Sequence, residues 1–265
     1  MTNYSNSRLS TFQQCKFRYK LQYIDKEKPD FEHTAETFMG GLVHEILEKL
    51  YRELKGGFLN TKERLVEFYE KEWDENWKDD NVKIVREGLT SDYYKAMGKN
   101  FIENYYERNK PFTQAKVVDI ETEDFIDLKD DNKYHIRIDR LVKSEDGTYF
   151  VCDYKTNKNM KSQGEVDEDR QLAMYSLWVK NHFEDCKNVK LIWYFLAHNM
   201  ELVSERTEEQ LKKLKEDIEN EIIEIEACTD FETNKTPLCG WCGFKNKCPE
   251  WQNERNSSLL KYKNV

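Results

Sequence analysis

Proline and glycine are scarce in this sequence, 4 and 10 among 265 residues, which argues against long flexible linkers. No apolar run approaches the roughly 20 residues that a helix needs to cross a bilayer. The first ten residues are polar and hold no apolar leader core, so export is not expected. Seven cysteines in a chain with no export signal predict reduced thiols, metal ligands or a cluster rather than disulfides. A cytoplasmic, reducing setting away from membranes is the expectation. A basic surplus is also missing: 42 Lys and Arg stand against 51 Asp and Glu, a net charge of −9. That excludes a uniformly basic coat for nucleic acid and leaves room for a local basic groove, because phosphate binding depends on local contacts rather than on net charge. Internal repeats and low-complexity segments are absent too.

Hydrophobic residues make up 38% of the chain and aromatics 13%, enough for a core that a disordered chain of this charge would lack. Ser7 to Tyr23 reads as a helix with Ser7 as N-cap and Leu9, Phe12, Tyr19 and Tyr23 on one face. Gly40 opens a second helical pattern through Leu42, Val43, Ile46, Leu47 and Leu50, ended by Gly56-Gly57, with His44 one turn after Gly40. Two more helices are predicted at about 61–78 and 91–109, their aromatic stripes suited to core packing. From Gln114 the character turns to strands: Val117 to Leu128, with Glu121 and Phe125, then a hairpin through the turn signal Asp146-Gly147. A polar loop from Asn157 precedes a helix bearing Gln171 and Tyr175, then a strand over 190–197. Thr207-Glu208-Glu209-Gln210 reads as a capping box for a long final helix.

The hairpin carries the chemistry. Val151-Cys152-Asp153-Tyr154-Lys155-Thr156 is a short apolar strand ending in an acid and a lysine. Strand alternation points Asp153 and Lys155 one way and Tyr154 the other. The partner strand, Tyr134 to Asp139, brings Asp139 toward Asp153. Burying such charges side by side is costly unless a cation or an anionic substrate joins them. Two carboxylates suit a hard divalent cation, with the Tyr154 carbonyl as a further oxygen ligand, and Lys155 beside it could orient or deprotonate water or stabilise phosphate charge. The competing reading is a hairpin with surface acids.

The carboxyl end differs in kind. Cys239-Gly240-Trp241-Cys242-Gly243-Phe244-Lys245-Asn246-Lys247-Cys248-Pro249 packs three thiols into ten residues of turn-forming sequence. Zinc and iron–sulfur sites commonly take four ligands. Cys152 belongs to the core strand, Cys186 and Cys228 are isolated, and Cys15 remains as the candidate fourth. Zn²⁺ and a 4Fe-4S cluster both fit the thiol count.

Taken in order, these pieces resemble the RecB-like exonuclease branch of the PD-(D/E)XK nuclease superfamily, especially its CRISPR-associated and helicase-associated members with an iron–sulfur cluster. Ser7 through Tyr19 with Cys15 is similar to that family's opening helix. Gly40-x-x-x-His44 resembles its histidine motif, followed by Glu121 and Asp139-Arg140. Asp153-Tyr154-Lys155-Thr156 resembles its catalytic strand, Gln171-x-x-x-Tyr175 its downstream helix motif, and Cys-x2-Cys-x5-Cys-Pro its closing loop. Ile138 stands where the superfamily name has proline, and Asp153 where it has aspartate or glutamate.

The resemblance implies a mixed α/β, restriction-endonuclease-like fold: a central sheet flanked by helices, one domain over 1–265, a helical insertion at about 58–110 and cluster elements at about 7–23 and 237–250. It implies that His44, Asp139 and Asp153 bind Mg²⁺ or Mn²⁺, joined by the Tyr154 oxygen, with Lys155 catalytic. Glu121, Arg140, Gln171 and Tyr175 would support the site or contact DNA. Cys15, Cys239, Cys242 and Cys248 would hold 4Fe-4S. The implied activity is a DNA exonuclease acting on single strands or ends. No phosphate loop of the type Gly-x4-Gly-Lys-Ser/Thr occurs, so a helicase or CRISPR-adaptation partner would be a separate polypeptide. Two rival readings are a non-catalytic DNA-end-binding subunit and a zinc-stabilised nucleic-acid-binding module.

Overall fold

A computed structural model describes residues 2–252. In chain order these form β1 (Asn3–Tyr4), α1 (Asn6–Gln14), α2 (Lys16–Tyr19) with a π turn (Lys20–Ile24), β2 (His33–Thr34), α3 (Ala35–Lys55), α4 (Lys62–Asn76), β3 (Val82–Lys83) and α5 (Ser91–Asn109). Then follow β4 (Lys116–Asp127), β5 (Lys133–Lys143), β6 (Thr148–Lys155), α6 (Gln163–Asp167), α7 (Arg170–His182), β7 (Asn188–Phe195), β8 (Met200–Glu205) and α8 (Glu208–Ala227). A mixed sheet runs β4–β5–β6–β7–β8, and β1 adds in parallel to the start of β5. The fold is the mixed α/β arrangement expected, a central sheet flanked by helices. β2 and β3 form a separate two-stranded parallel pair.

Each face of the sheet has its own core. On one side α1, α7 and α8 pack over Tyr134, Ile136, Ile138, Val151, Leu191 and Trp193. On the other, α3, α4 and α5 pack over Ile120, Val142, Cys152, Tyr154 and Tyr194. The short β6 buries both faces, which fits its nearly continuous apolar sequence and its parallel pairing with β7.

Most predicted elements form close to their sequence bounds because local signals and burial agree. α8 starts from Thr207, whose hydroxyl accepts from the Gln210 N–H while the Gln210 side chain takes the Thr207 N–H. α3 begins earlier than its glycine pair suggests, because Thr34 and Thr37 make a reciprocal cap before it.

The first helix departs from expectation. The continuous Ser7–Tyr23 helix is replaced by α1, capped by Ser5 rather than Ser7, a break at Cys15 and then α2. Cys15 is extended, with φ −164° and ψ 109°, and its sulfur accepts from the Arg18 N–H at 3.4 Å. The thiol therefore serves as a helix cap, which an apolar stripe cannot reveal.

Gly40 sets the distance between α3 and the end of β6. A Cβ there would stand 2.8 Å from Thr156 Oγ1, so only the bare backbone lets α3 approach and bring His44, one turn on, over the strand. Gly40→Ala gains helix propensity of about 1 kcal/mol but forces an overpacking cost of about 1–3 kcal/mol. We expect Gly40→Ala to lower the urea midpoint in the native background and to raise it in a Thr156→Ala background, where that oxygen is gone. Equal effects in both backgrounds would refute the contact.

Candidate metal centre and cysteine cluster

β5 and β6 pair only from Arg140↔Cys152 to Lys143↔Tyr149. Beyond that point the hairpin forks, and Asp139 and Asp153 are the first residues past the last rung. The Asp139 carboxylate takes over where the ladder stops: its Oδ2 accepts the Tyr154 N–H at 2.8 Å. The Tyr154 carbonyl is met from the other side by His44 Nε2 at 2.8 Å. His44 Nδ1 then lies 3.5 Å from Asp139 Oδ2.

Two backbone irregularities face each other across β4 and β5. Glu121 adopts φ +50°, a conformation that costs a non-glycine residue about 1–3 kcal/mol. It lies between the paired rungs Ile120↔Arg140 and Thr122↔Ile138, opposite Asp139. On β5 the face alternation slips at the same level: Ile136, Ile138 and Leu141 share one core, whereas Val142 lies in the other. The paired distortion turns both acids toward His44. Ligand atoms of His44, Glu121 and Asp139 all lie within 4.8 Å of one another.

That slip also displaces Arg140 from the site. Its guanidinium lies buried on the α3–α5 side, 4.0 Å from the Tyr51 ring centroid, with Nη2 donating to Tyr194 OH at 3.0 Å. The expected support or substrate-binding role for Arg140 at the cleft is therefore not met by its placement. Tyr154's ring enters the same aromatic cage, edge-on to Tyr105. Only its backbone serves the fork, and its carbonyl keeps a second lone pair.

Lys155 projects with Asp153, as alternation requires. Its ammonium is 2.7 Å from Asp153 Oδ2 and donates to Gln171 Oε1 at 3.2 Å. Gln171 in turn donates to Tyr175 OH at 3.2 Å. Asp169 caps α7 by accepting from the Gln171 and Leu172 N–H groups, which fixes the first turn of that helix beside the lysine. Among the described residues, Lys155 is the one close partner of the Asp153 Oδ2 atom, and a buried carboxylate oxygen has room for a second. The close His44–Glu121–Asp139 group, with this carboxylate on the same cleft wall, offers the oxygen-rich donors that a hard divalent cation takes. The residues present fit Mg²⁺ or Mn²⁺.

The charges are tuned apart. Burial pulls His44 down, but Asp139, Asp153 and the Tyr154 carbonyl outweigh it and raise the imidazole to about 9. Burial raises Asp139, and His44, the Tyr154 N–H and Lys155 overcome that to leave it below its ordinary value. Asp153 is pushed up to about 6, by burial first and by Asp139 against the counter-pull of Lys155. Lys155 is lowered by burial, yet Asp153 and Asp139 hold it above its usual range, so in the metal-free protein it is an ammonium ion and not a proton acceptor.

These groups line one cleft of about 990 Å³. His44, Glu121, Asp139, Asp153, the Tyr154 backbone, Lys155, Gln171 and Tyr175 are all on its wall, together with Ser5–Ser7 from the start of α1 and Arg137 from β5. Arg137 Nε donates to Glu121 Oε2 at 2.7 Å, a neighbour that no motif singles out. Only its position two residues before Asp139 could have flagged it.

At the far end of α1 the four predicted cysteines come together. Cys15, Cys239, Cys242 and Cys248 line a cavity of about 380 Å³ with Arg18, Phe244 and Trp251. All seven cysteines are free. Burial raises the Cys242 and Cys248 thiols, and each also feels Cys15 and Cys239. The Phe17 N–H donates to Glu232 O at 3.0 Å and Asn234 to Gln14 O at 2.8 Å, tying the break at Cys15 to the tail. Among the described residues, three metal-ligating atoms gather within 4.8 Å only at His44, Glu121 and Asp139. No three of the four sulfurs lie that close to one another.

A forked hairpin carrying two acids and a lysine, met in one cleft by an imidazole from α3 and a third acid from β4, is suited to holding a divalent cation against a phosphodiester. A family model of the PD-(D/E)XK nuclease superfamily matches residues 3–249, and the chain belongs to that superfamily. No curated protein matches the sequence. Among solved structures, a candidate exonuclease from Eubacterium rectale is 12% identical with a TM-score of 0.49, over 88% of this chain and 91% of that one. SSO0001 is 18% identical with a TM-score of 0.32, over 49% and 59%.

His44 links the site to pH. Its value is raised above the ordinary 6.5, so the contacts that hold its proton stabilise the fold fully below 6.5 and fade as pH rises through about 9. In EDTA, the stability of the native protein should fall between pH 7 and 9.5 relative to His44→Gln. Mn²⁺ must displace that proton, so titration calorimetry at pH 7.5 in buffers of different ionisation enthalpy should show about one proton released. Identical apparent enthalpies in the two buffers would remove Nδ1 from the ligand set.

Proposed function

We propose that this protein is a Mg²⁺- or Mn²⁺-dependent deoxyribonuclease of the RecB-like branch, acting as an exonuclease on single strands or DNA ends. The observation that carries this reading is the convergence of His44, Glu121 and Asp139, with Asp153 and the Lys155 ammonium paired on the same cleft wall. His44 Nδ1 and the three carboxylates would hold the ion, with the Tyr154 carbonyl in reach. A bound divalent ion supplies charge neutralisation at the scissile phosphate and a more acidic water.

The chain's own residues do the rest. Tyr154's backbone fixes the His44 ring and the Asp139 carboxylate through one hydrogen bond each. Gln171 holds Lys155 toward the cleft, where its ammonium would engage the phosphate oxygens or orient the attacking water. The raised value of Lys155 favours those roles over proton removal. Asp153, poised near 6, is partly a carboxylic acid in mildly acidic solution, and in that form it binds a cation poorly. Activity should decline below that pH.

Cys15, Cys239, Cys242 and Cys248 would hold a 4Fe-4S cluster. Four thiols lining one cavity supply the ligand number that such a cluster takes, and they would equally serve Zn²⁺. The cluster would be structural, joining α1 to the tail. Seven free thiols fit a reducing, cytoplasmic setting. A helicase or adaptation protein would present the DNA, since this chain carries no motor motif.

Asp153→Ala and Lys155→Ala should each lose Mg²⁺-dependent cleavage of end-labelled DNA by about 100-fold or more while keeping the native circular dichroism spectrum. Wild-type rates in either variant would defeat the assignment, and DNA binding without cleavage by the native protein would favour an end-binding subunit. An anaerobic preparation should be brown and contain iron, and Cys15→Ala or Cys242→Ala should bleach it. A colourless protein with stoichiometric zinc would replace the cluster by Zn²⁺.

A further inference from the structure

Beyond the fork the two arms of the sheet separate, and beside each stands an exposed aromatic ring in contact with a residue of the cleft wall. On the β4–β5 arm, Phe125 is 39% exposed and pairs across the strands with His135, their rings 5.1 Å apart. His135 lines the cleft, and the Lys133 ammonium stands 6.0 Å from the Phe125 ring centre. On the β6 arm, Lys158 lies three residues past Lys155 and also lines the cleft. Its ammonium donates to Tyr93 OH at 2.7 Å and stands 5.1 Å from that ring. Tyr93, on the first turn of α5, is 40% exposed.

The two stations share a composition: an open ring, a lysine against it and a foot in the catalytic cleft. Most aromatic rings of this protein pack wholly or partly into its two cores, whereas Phe125 and Tyr93, like Phe58 at 48%, stand open, and the first two adjoin residues of the cleft wall. The local backbone is well fixed. His198 Nε2 contacts the Lys158 carbonyl at 2.6 Å, and Tyr94, next to Tyr93, is buried and bonds Glu36 at 2.8 Å. Charge separates the stations. Lys133 has Asp127 at 3.6 Å and His135 has Glu123 at 2.7 Å, whereas Lys158 forms no ion pair among the described residues. The Tyr93 side is therefore the stronger phosphate attractor.

We propose that Tyr93 and Phe125 are base-stacking platforms for unpaired DNA on the two arms of the fork, with Lys158 holding the adjoining phosphate. An aromatic face beside a cation binds any base without reading its edges. Bases paired inside a duplex offer no free face, so this arrangement selects single strands or frayed ends with little sequence preference. The inference rests on the nuclease reading for its substrate and adds the residues that make the cleft discriminate between one strand and two.

The test is equilibrium binding of fluorescent oligo(dT) and of a blunt hairpin duplex to the full-length protein in EDTA, where no cleavage occurs. Tyr93→Ala and Phe125→Ala should each weaken oligo(dT) binding by about 5- to 100-fold and leave the blunt hairpin within about twofold. Tyr93→Phe, which keeps the ring, should stay close to the native protein. Lys158→Gln should reduce the salt dependence of oligo(dT) binding by about one phosphate contact, a readout that holds even if an alanine variant folds poorly. Native-like oligo(dT) affinity in both alanine variants, or equal losses for the hairpin, would overturn the proposal. A native protein that binds oligo(dT) through these rings yet never cuts with Mg²⁺ or Mn²⁺ would overturn the nuclease reading alone.

Discussion

The backbone of Tyr154 holds the site together. Its N–H is taken by Asp139 and its C=O by His44, so a single residue at the end of β6 fixes one carboxylate and one imidazole from two other elements. Inside a sheet those two groups would be spent on neighbouring strands. Here the hairpin forks one residue earlier, and the freed groups must find other partners, because buried backbone polar groups left unpaired are costly. The fork creates the need and the candidate metal ligands meet it. The Tyr154 ring, locked among Tyr51, Tyr105 and Tyr194 on the opposite face, keeps that backbone in place.

The electrostatics follow from the same crowding. Three acids in one partly buried cleft cannot all be comfortable as anions. Asp139 stays ionised because His44 and a backbone N–H favour its charge, while burial and the neighbouring Asp139 lift Asp153 to about 6 against the pull of Lys155. Glu121 is raised as well, by burial before the counteracting Arg137. The metal-free cleft thus stores unfavourable carboxylate repulsion and a strained φ at Glu121. A divalent cation held by these groups would relieve the repulsion, and that relief would add to the affinity of the ligand contacts themselves.

Much of this was legible in the sequence, for definite reasons. Period-two alternation placed Asp153 and Lys155 on one face, and the Asp146-Gly147 turn brought Asp139 near them. The Gly40–His44 spacing worked because a helix repeats each turn and because only glycine fits against Thr156. The convergence of Cys15 with the tail thiols could be anticipated from ligand number. What sequence could not show were broken periods. Arg140 follows Asp139 directly, and simple alternation gives no sign of the slip that sends its guanidinium into an aromatic cage. Glu121 sits in a β-branched strand with no glycine to announce a left-handed residue. Cys15 lies in a helical stripe yet interrupts the helix.

The first helix has a further consequence. Its opening residues, Ser5 to Ser7, form part of the cleft wall, while its end is fastened to residues 232–248. Contacts between segments more than 200 residues apart close late in folding. A nascent chain can therefore hold the cleft end of this helix early, through β1 on β5 and Arg170 donating to Asn6, and fasten its far end only once the cysteine-bearing tail has been synthesised.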